Sequence, residues 1–371
     1  MKQKHIVYIV SQVHKSLAFE WIASRLKNDY RITFILLNAT SSSLEDFLID
    51  KSIEVKRFFY RNKRDFLFAF LKTFFYLFIK RPQVVHAHLF DAQLIGLTAA
   101  WLTGIHKRIY TRHNSNYHHV YHPHGVRFDI WSNRMATDII SISQATDKTL
   151  FELEHVPRSK VVKLPHGFDL NVFAEVSLER TEHIREKWQI RKYHPAVGII
   201  GRHIEWKGIQ FIIPAFQKFL NENPNACLII ANASGPYHGV IKELLKSIPA
   251  DRTILIPFEE DVAALYAVFD LYVHTPVDPI CEAFGQTYVE ALAAGIPSVF
   301  TLSGIAAEFI QHDRNALVVD FKDSEGIYNA LDRLWTDNDL REHLVENGRQ
   351  DVFSRFGVER MLASLKKLYD K

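Results

Sequence analysis

Four charged side chains in the second half of the chain are spaced for anion and hydroxyl chemistry. Glu282 and Glu290 flank a turn and a helix in "PICEAFGQTYVEALAAGIPSVFT", residues 279–301. Phe284-Gly285 reads as the turn, and the helix is expected to start near Gly285 or Gln286. Glu282 then falls in the preceding loop and Glu290 in the second helical turn. Gly285, Gln286 and Thr287 would offer free backbone N–H groups at a helix N-terminus, which suit a phosphate. A carboxylate accepts hydrogen bonds from a pair of sugar hydroxyls. One carboxylate on each side of a phosphate cradle would therefore grip a hexose, a diphosphate and a ribose in turn. On spacing alone, a capping loop followed by a solvent-facing glutamate competes with that reading. In "GIIGRHIEWKGIQFIIPAF", Arg202 and Lys207 fall in the loop after a strand. Two fixed cations before a helix would neutralise a diphosphate; the competing reading is a solvated loop.

The elements that must position these residues alternate in type. In the first half, strands are expected at 5–11, 31–38, 53–59, 84–89, 107–113 and 138–144, with a short last strand within 161–173. Helical periodicity runs over 17–28, 65–80 and 92–104. A charged helical stretch at 178–190 reads as a linker. The alternation restarts with strands at 196–202, 226–232, 253–258, 271–275, 297–301 and 316–320. Helices are expected between them at 208–221, 239–247, 261–268, 285–294 and 305–311, and helices close the chain. Strands alternating with helices imply parallel sheets covered on both faces. The fold class is α/β, with two Rossmann-like doubly wound domains facing a central cleft. The expected domains are 1–173, 174–352 and a C-terminal helical segment, 353–371, packing back toward the first domain. Ligands bind at the carboxyl edges of such sheets.

The 371 residues are too many for one ordinary core. A composition of 47% hydrophobic and 23% charged residues is that of a globular protein. The formal charge of +3 is too weak, and too evenly spread, to argue for nucleic acid. Cys227 and Cys281 make neither a metal spacing nor a disulfide framework, which fits a reducing cytoplasm. The N-terminal stretch "MKQKHIVYIVSQVHKS" reads as a first strand, since it lacks a cleavage site for a signal peptide. Neither half carries G-x-G-x-x-G after its first strand, and no G-x-x-x-x-G-K-[ST] occurs, which disfavours dinucleotide and P-loop enzymes.

Taken in order, the segments resemble the retaining GT-B glycosyltransferases of family four, which carry a Glu-x7-Glu motif. "VGIIGRHIEWKG" is similar to that family's G-R-x(3–4)-K-G segment, and "EAFGQTYVEALAAGIPSVFT" to its E-x-F-G-x(4)-E-A-x-A-x-G-x-P-V segment. "SGIAAEFI" stands where the family has G-G-x-x-E. "VVHAHLFDAQLIG", "YTRHN", "IISISQ" and "LPHGFD" fall in the family's order in the first half. The resemblance implies transfer of a sugar from a nucleotide-diphosphate donor, UDP or GDP, to an acceptor hydroxyl with the anomeric configuration kept. It implies that Arg202 and Lys207 bind the donor diphosphate, that Glu290 holds the ribose and that Glu282 lies beside the transferred sugar. The backbone of Phe284, Gly285, Gln286 and Thr287 would contact sugar and phosphate. Ser234 and Gly235 would border the base, although "NASGPYHG" departs from the family's glycine pair. His113 would face the acceptor or the donor sugar; as a lone histidine it also reads as a structural strand end. No metal and no cofactor beyond the nucleotide-sugar donor is expected, because no D-x-D pair stands where a divalent ion would be needed. The acceptor would be a sugar or a lipid-linked sugar, in bacterial surface polysaccharide or glycolipid synthesis. The alternatives are another GT-B enzyme, such as an epimerase or phosphorylase, and a non-catalytic nucleotide-sugar binding protein.

The family's Gly-Gly after the first strand is replaced by "SQVHKSLAFEW". There Lys15 could supply a side-chain donor, or Ser16 could simply cap a helix. "NYHHVYHPHG" (116–125) reads as an acceptor-contacting loop sooner than a metal site, since no carboxylate stands nearby at a recognised spacing. "KRDFLFAFLKTFFYLFIKRP" (63–82) is too short to span a bilayer and reads first as a buried helix. Its second reading is an interfacial helix in peripheral membrane contact, with Lys63, Arg64, Lys72, Lys80 and Arg81 meeting lipid phosphates at the inner face.

Overall fold

A computed structural model describes residues 3–190 and 193–371, and in it the predicted alternation becomes two parallel sheets. The first contains β1 (His5–Ser11), β2 (Arg31–Leu37), β3 (Glu54–Phe58), β4 (Val84–His88), β5 (Lys107–Arg112), β6 (Asp138–Ser141) and β7 (Val161–Lys163). Its spatial order is 3-2-1-4-5-6-7. The second contains β8 (Ala196–Ile200), β9 (Cys227–Ala231), β10 (Thr253–Ile256), β11 (Leu271–His274), β12 (Ser298–Phe300) and β13 (Leu317–Val318), in the order 10-9-8-11-12-13. The strand order reverses beside the first strand of each sheet, so a crevice is expected at the ends of β1 and β4 and again at β8 and β11. The central strands are apolar on both faces because helices cover both: β1, β8 and β9 are buried along their whole length.

The chain divides into two compact units, residues 1–168 with 358–371, and residues 169–357. The expected boundary at 173 falls a few residues late. Helix Asn171–Ala174 belongs to the second unit, where Phe173 is buried against Tyr266. The stretch read as a linker, helix Leu178–Lys187, is also part of that unit. Arg180 holds Asp261 through two hydrogen bonds (2.8 and 2.7 Å), and Lys187 and Trp188 both donate to Glu259. At the other end, helix Asn338–Phe356 stays with the second unit, and only helix Val358–Asp370 packs with the first. There Tyr369 reaches the sheet, hydrogen-bonding the Tyr8 hydroxyl and His86 Nδ1, the latter at 2.6 Å.

Of the helices that escaped the periodicity reading, the two of eight residues or more show why. Helix Ser43–Asp50 is short, and its signal was the cap: Ser42 accepts from the Glu45 amide at 3.2 Å. Helix Val126–Met135 buries Asp129, Ser132 and Asn133, so its inner face is polar and carries no apolar stripe.

The Phe-rich helix, Phe66–Lys80, departs from the buried reading. It buries only Ala69, Thr73 and Leu77, while Phe66, Phe70, Phe74 and Tyr76 lean on the core of the first unit. Its opposite side is open: Leu67 is 67% exposed, Phe75 56% and Ile79 72%. The helix is apolar all round, yet it has sheet and helix on one side only. Among the described residues no helix is long and apolar enough to cross a membrane.

Candidate functional site

In the second unit the reversal point gathers the predicted cations and carboxylates. The chain leaves β8 into a loop carrying Arg202 and Lys207 before helix Ile209–Glu222. Gly208 makes this turn possible. Its φ is +74°, and a Cβ there would lie 1.8 Å from the Thr275 carbonyl at the end of β11. The two strand ends are thus pressed together, and Lys207 Nζ donates to Glu282 Oε1 at 2.5 Å. His274, the last residue of β11, puts Nε2 3.5 Å from the same oxygen. Burial alone would raise the Glu282 carboxyl, but Lys207 and His274 outweigh it and hold the group well below the usual carboxylate range. Burial keeps His274 neutral. Arg202 is exposed and makes no ion pair among the described residues.

The loop bearing Glu282 is sutured by the segment after β12. The Glu282 amide donates to Ser303 Oγ (3.3 Å), the Gly304 amide to the Pro279 carbonyl (3.1 Å) and the Ile305 amide to the Phe284 carbonyl (2.9 Å). Gly304 sits at φ +59°, and a Cβ would meet the Phe284 oxygen at 2.6 Å and the Glu282 Cβ at 3.0 Å. Cys281 Sγ lies within this loop near Ser303, and burial pushes its thiol up to about 11, so it packs instead of reacting. The Phe284 side chain is buried against Phe356 and its carbonyl is used, which leaves the Gly285–Thr287 turn as the open part of the motif.

Helix Gln286–Ala294 starts at Gly285 as predicted, so the amides of Gln286 and Thr287 lead the helix with no carbonyl behind them. Glu290 sits one turn in. Tyr266 Oη donates to its Oε2 at 2.9 Å. Burial raises its carboxyl to about 7, opposed by that one hydrogen bond. The hydroxyls of Tyr272 and Thr287 are buried in the same neighbourhood and face each other. Glu282 is therefore a fixed anion and Glu290 an uncommitted carboxyl among hydroxyls. Ser234 and Gly235 brace the cation loop: the Ser234 carbonyl accepts from the His203 amide (2.9 Å), and a Cβ on Gly235 would lie 2.4 Å from the His203 carbonyl.

In the first unit the sequence singled out His113 and missed its company. His88 Nδ1 lies 3.0 Å from His113 Nε2, and the His113 ring stacks on His166 with centroids 5.4 Å apart. Burial, together with the other imidazoles, keeps His88 and His113 well below the ordinary histidine range, and burial takes His166 to about 4 and His86 to about 3. The signal was present in "VVHAH", where alternate residues of a strand share one face. The cluster is a set of neutral imidazoles that can donate or accept. Burial favours the neutral ring of His113, which is placed to give or take a hydrogen bond within the cluster.

The His-rich loop has carboxylates after all, brought from later in the chain. His118 Nδ1 lies 2.6 Å from Asp129 and His119 Nε2 3.3 Å from Glu154. Arg112, fully buried, lies between them, 3.1 Å from Asp129 and 2.5 Å from Glu154. Its guanidinium supplies the cation that these two carboxylates need. Among the described residues no group of His, Cys, Asp and Glu is arranged for a metal. After β1, where the resembled family has paired glycines, Ser16 caps the next helix by accepting from the Phe19 amide, and Gln12 takes a left-handed φ of 55°.

Comparison with known proteins joins these two halves. The pattern of the family Glycosyl transferases group 1 matches residues 180–351, and that of Glycosyltransferase Family 4 matches residues 20–172. An uncharacterised glycosyltransferase of Methanocaldococcus jannaschii is 26% identical over 239 residues, 62% of this chain and 59% of that protein. The capsular polysaccharide biosynthesis glycosyltransferase CapM of Staphylococcus aureus is 24% identical over 322 residues, 83% of each. Among solved structures, Anabaena HepE in complex with UDP and glucose superimposes with a TM-score of 0.84 at 20% identity, covering 98% of both chains. At that identity the likeness establishes the fold, which is GT-B.

Proposed function

We propose, from the chain's membership of the GT-B group 1 glycosyltransferases, that it transfers a sugar from a UDP- or GDP-sugar to an acceptor hydroxyl with retention of configuration. The observation that carries this reading is the meeting of Lys207 and Glu282 at the β8–β11 reversal point, with Arg202 two residues past the end of β8 and the N-terminus of helix Gln286–Ala294 following Glu282 closely in the chain. The leaving nucleotide diphosphate gains charge as the glycosidic bond breaks. Arg202, Lys207 and the helix amides stand ready to stabilise it without a divalent ion. Glu282 is too firmly ionised to donate a proton, so it serves as a hydroxyl acceptor and counter-charge beside the transferred sugar. Glu290 takes the ribose hydroxyls, which favour its ionised form. UDP is the first base to test, because the HepE structure is a complex with UDP and glucose.

The first unit would hold the acceptor, with neutral His88, His113 and His166 suited to sugar hydroxyls. A lipid-linked acceptor in surface polysaccharide synthesis fits the capsular relative. It also fits the open face of the Phe-rich helix, flanked by Arg61, Lys63, Arg64, Lys72, Lys80 and Arg81 with Asp65 as the single acid over 61–81. The protein would then work at the cytoplasmic face of a membrane. The test is nucleotide release from UDP- and GDP-sugars with lipid-phosphate-linked and free sugar acceptors, with and without a chelator, followed by assignment of the product anomer. Release that survives chelation, with the donor's anomer retained, is expected. No release from any donor would overturn the reading, and an inverted product would overturn its stereochemistry.

A further inference from the structure

On the first unit, a cavity of about 650 Å³ lies between the Phe66–Lys80, Phe90–Leu102 and Val126–Met135 helices. That size is within the roughly 300–1,000 Å³ of small-molecule sites. Its walls are the rings of Phe66, Phe90, Phe128 and Trp131, with buried Leu94 between them. The Trp131 ring is fixed, since its Nε1 donates to Thr98 Oγ1 at 3.0 Å. Lys63 and Arg127 line the same cavity, are exposed, and have no ion pair among the described residues. Arg127 lies over the Phe128 ring, 4.7 Å from its centroid. The one acid there is Asp91, whose carboxyl burial raises above its ordinary value, with Tyr60 and Lys63 opposing. An apolar trough with two unpaired cations at its rim is amphipathic in the sense of a lipid phosphate. Phe66 also begins the helix that exposes Leu67, Leu71, Phe75 and Ile79, so an apolar chain leaving the trough meets a continuous apolar surface.

We propose that this groove binds the prenyl chain of a prenyl-phosphate-linked acceptor, with Lys63 and Arg127 on its phosphates. The proposal rests on the lipid-linked acceptor reading above and names its class. A single branched chain fits one aromatic-walled trough, whereas a diacyl lipid would have to splay its second chain elsewhere. Two cations match the charge of a phosphate or diphosphate head, and neutral farnesol would leave them unused.

The probe is farnesyl diphosphate, titrated against the whole protein and read from tryptophan emission. Trp131→Phe identifies the part of the signal that comes from the groove. Binding should be saturable and at least tenfold weaker in Lys63→Ala/Arg127→Ala. It should also be weakened in Phe128→Ala, a change at an exposed ring that leaves the melting temperature near wild type. Farnesol should bind more weakly than the diphosphate, and inorganic diphosphate should give no Trp131-dependent change. Calorimetry with Trp131→Phe keeps the binding measurable when the optical signal is gone. Equal binding by wild type and the charge variant, no Trp131-dependent change, or equal affinity for dioleoyl phosphatidate vesicles would each overturn the proposal. A thermal shift with UDP and GDP on the same samples separates the two readings. Intact nucleotide binding with no farnesyl diphosphate binding removes the groove and leaves the donor site. Lost nucleotide binding removes the donor reading whatever the groove does.

Discussion

The carboxyl edges of the two sheets are built from the same topology and opposite chemistry. In the second unit the strand ends carry full charges, a Lys207–Glu282 pair and an unpaired Arg202. In the first unit they carry imidazoles that burial holds neutral, and the strong ion pair, Arg112 with Asp129 and Glu154, lies buried beneath the His-rich loop. The reversal point fixes where a ligand can sit; the side chains fix whether it is an anion or a polyol. The outer surfaces differ too. Of the 19 large apolar side chains recorded as exposed, only Leu178, Val240, Phe258 and Phe353 lie in the second unit. Among the described residues, the first unit thus carries most of the exposed large apolar side chains.

The largest effects should come from breaking each ion pair, and they should differ in kind. Lys207→Ala leaves Glu282 as an uncompensated buried anion, a loss of about 3–5 kcal/mol in stability. It should also slow turnover on the order of 10²–10³-fold through the leaving diphosphate. Adding Glu282→Gln should restore much of the stability and none of the rate. Arg112→Met should cost a similar ~3–5 kcal/mol of stability, yet leave UDP affinity measured on the folded fraction unchanged. If Arg112→Met weakens UDP binding as Lys207→Ala does, the division of labour is wrong.

Glu290 and the buried histidines of the first unit should also answer pH in opposite senses. Glu290 is raised to about 7, above its unfolded value, so its contribution to stability is full in acid and fades as pH rises through about 7. His86 and His166, lowered to about 3 and about 4, contribute fully above the ordinary histidine range and lose that contribution as pH falls. Because ribose hydroxyls favour the ionised carboxylate, UDP affinity should rise about tenfold per pH unit below 7 and level off above it. Calorimetric titrations between pH 5.5 and 8.5 would show this, and Glu290→Gln should flatten the curve. A slope that persists in Glu290→Gln would assign the proton elsewhere.

A smaller effect is expected at His113. His113→Asn removes one hydrogen bond of a neutral cluster, about 1 kcal/mol, and so about fivefold in kcat/KM for the acceptor. The donor KM and the pH profile between 6 and 8 should not move. A profile that loses a limb in His113→Asn would make it a proton carrier instead.

Much of this was legible because strands buried on both faces are continuous apolar runs and because glycine and proline mark their ends. The layout of the Glu282–Glu290 segment was readable since its residues lie close in sequence and their spacing maps onto one loop and one helix. What stayed hidden was assembled from distant segments. His274 and Ser303 reach Glu282 from other strand ends, and Tyr266 reaches Glu290 from the Val262–Tyr266 helix. Arg112, Asp129 and Glu154 are ordinary charged residues in sequence and become one network only through the fold. The Phe-rich helix was misjudged for another reason: apolar content says that a surface avoids water, and only the packing says on which side.

The most direct test of the central claim is a thermal-shift comparison of wild type, Arg202→Ala and Glu290→Ala with UDP, GDP and ADP. A ligand that binds only the native state raises the melting temperature by mass action. The account predicts a shift for one uridine or guanosine diphosphate in wild type, reduced in both variants at unchanged ligand-free melting temperature for Arg202→Ala. An equal shift in all three proteins, or none with any nucleotide, would contradict the placement of the donor between Arg202 and Glu290.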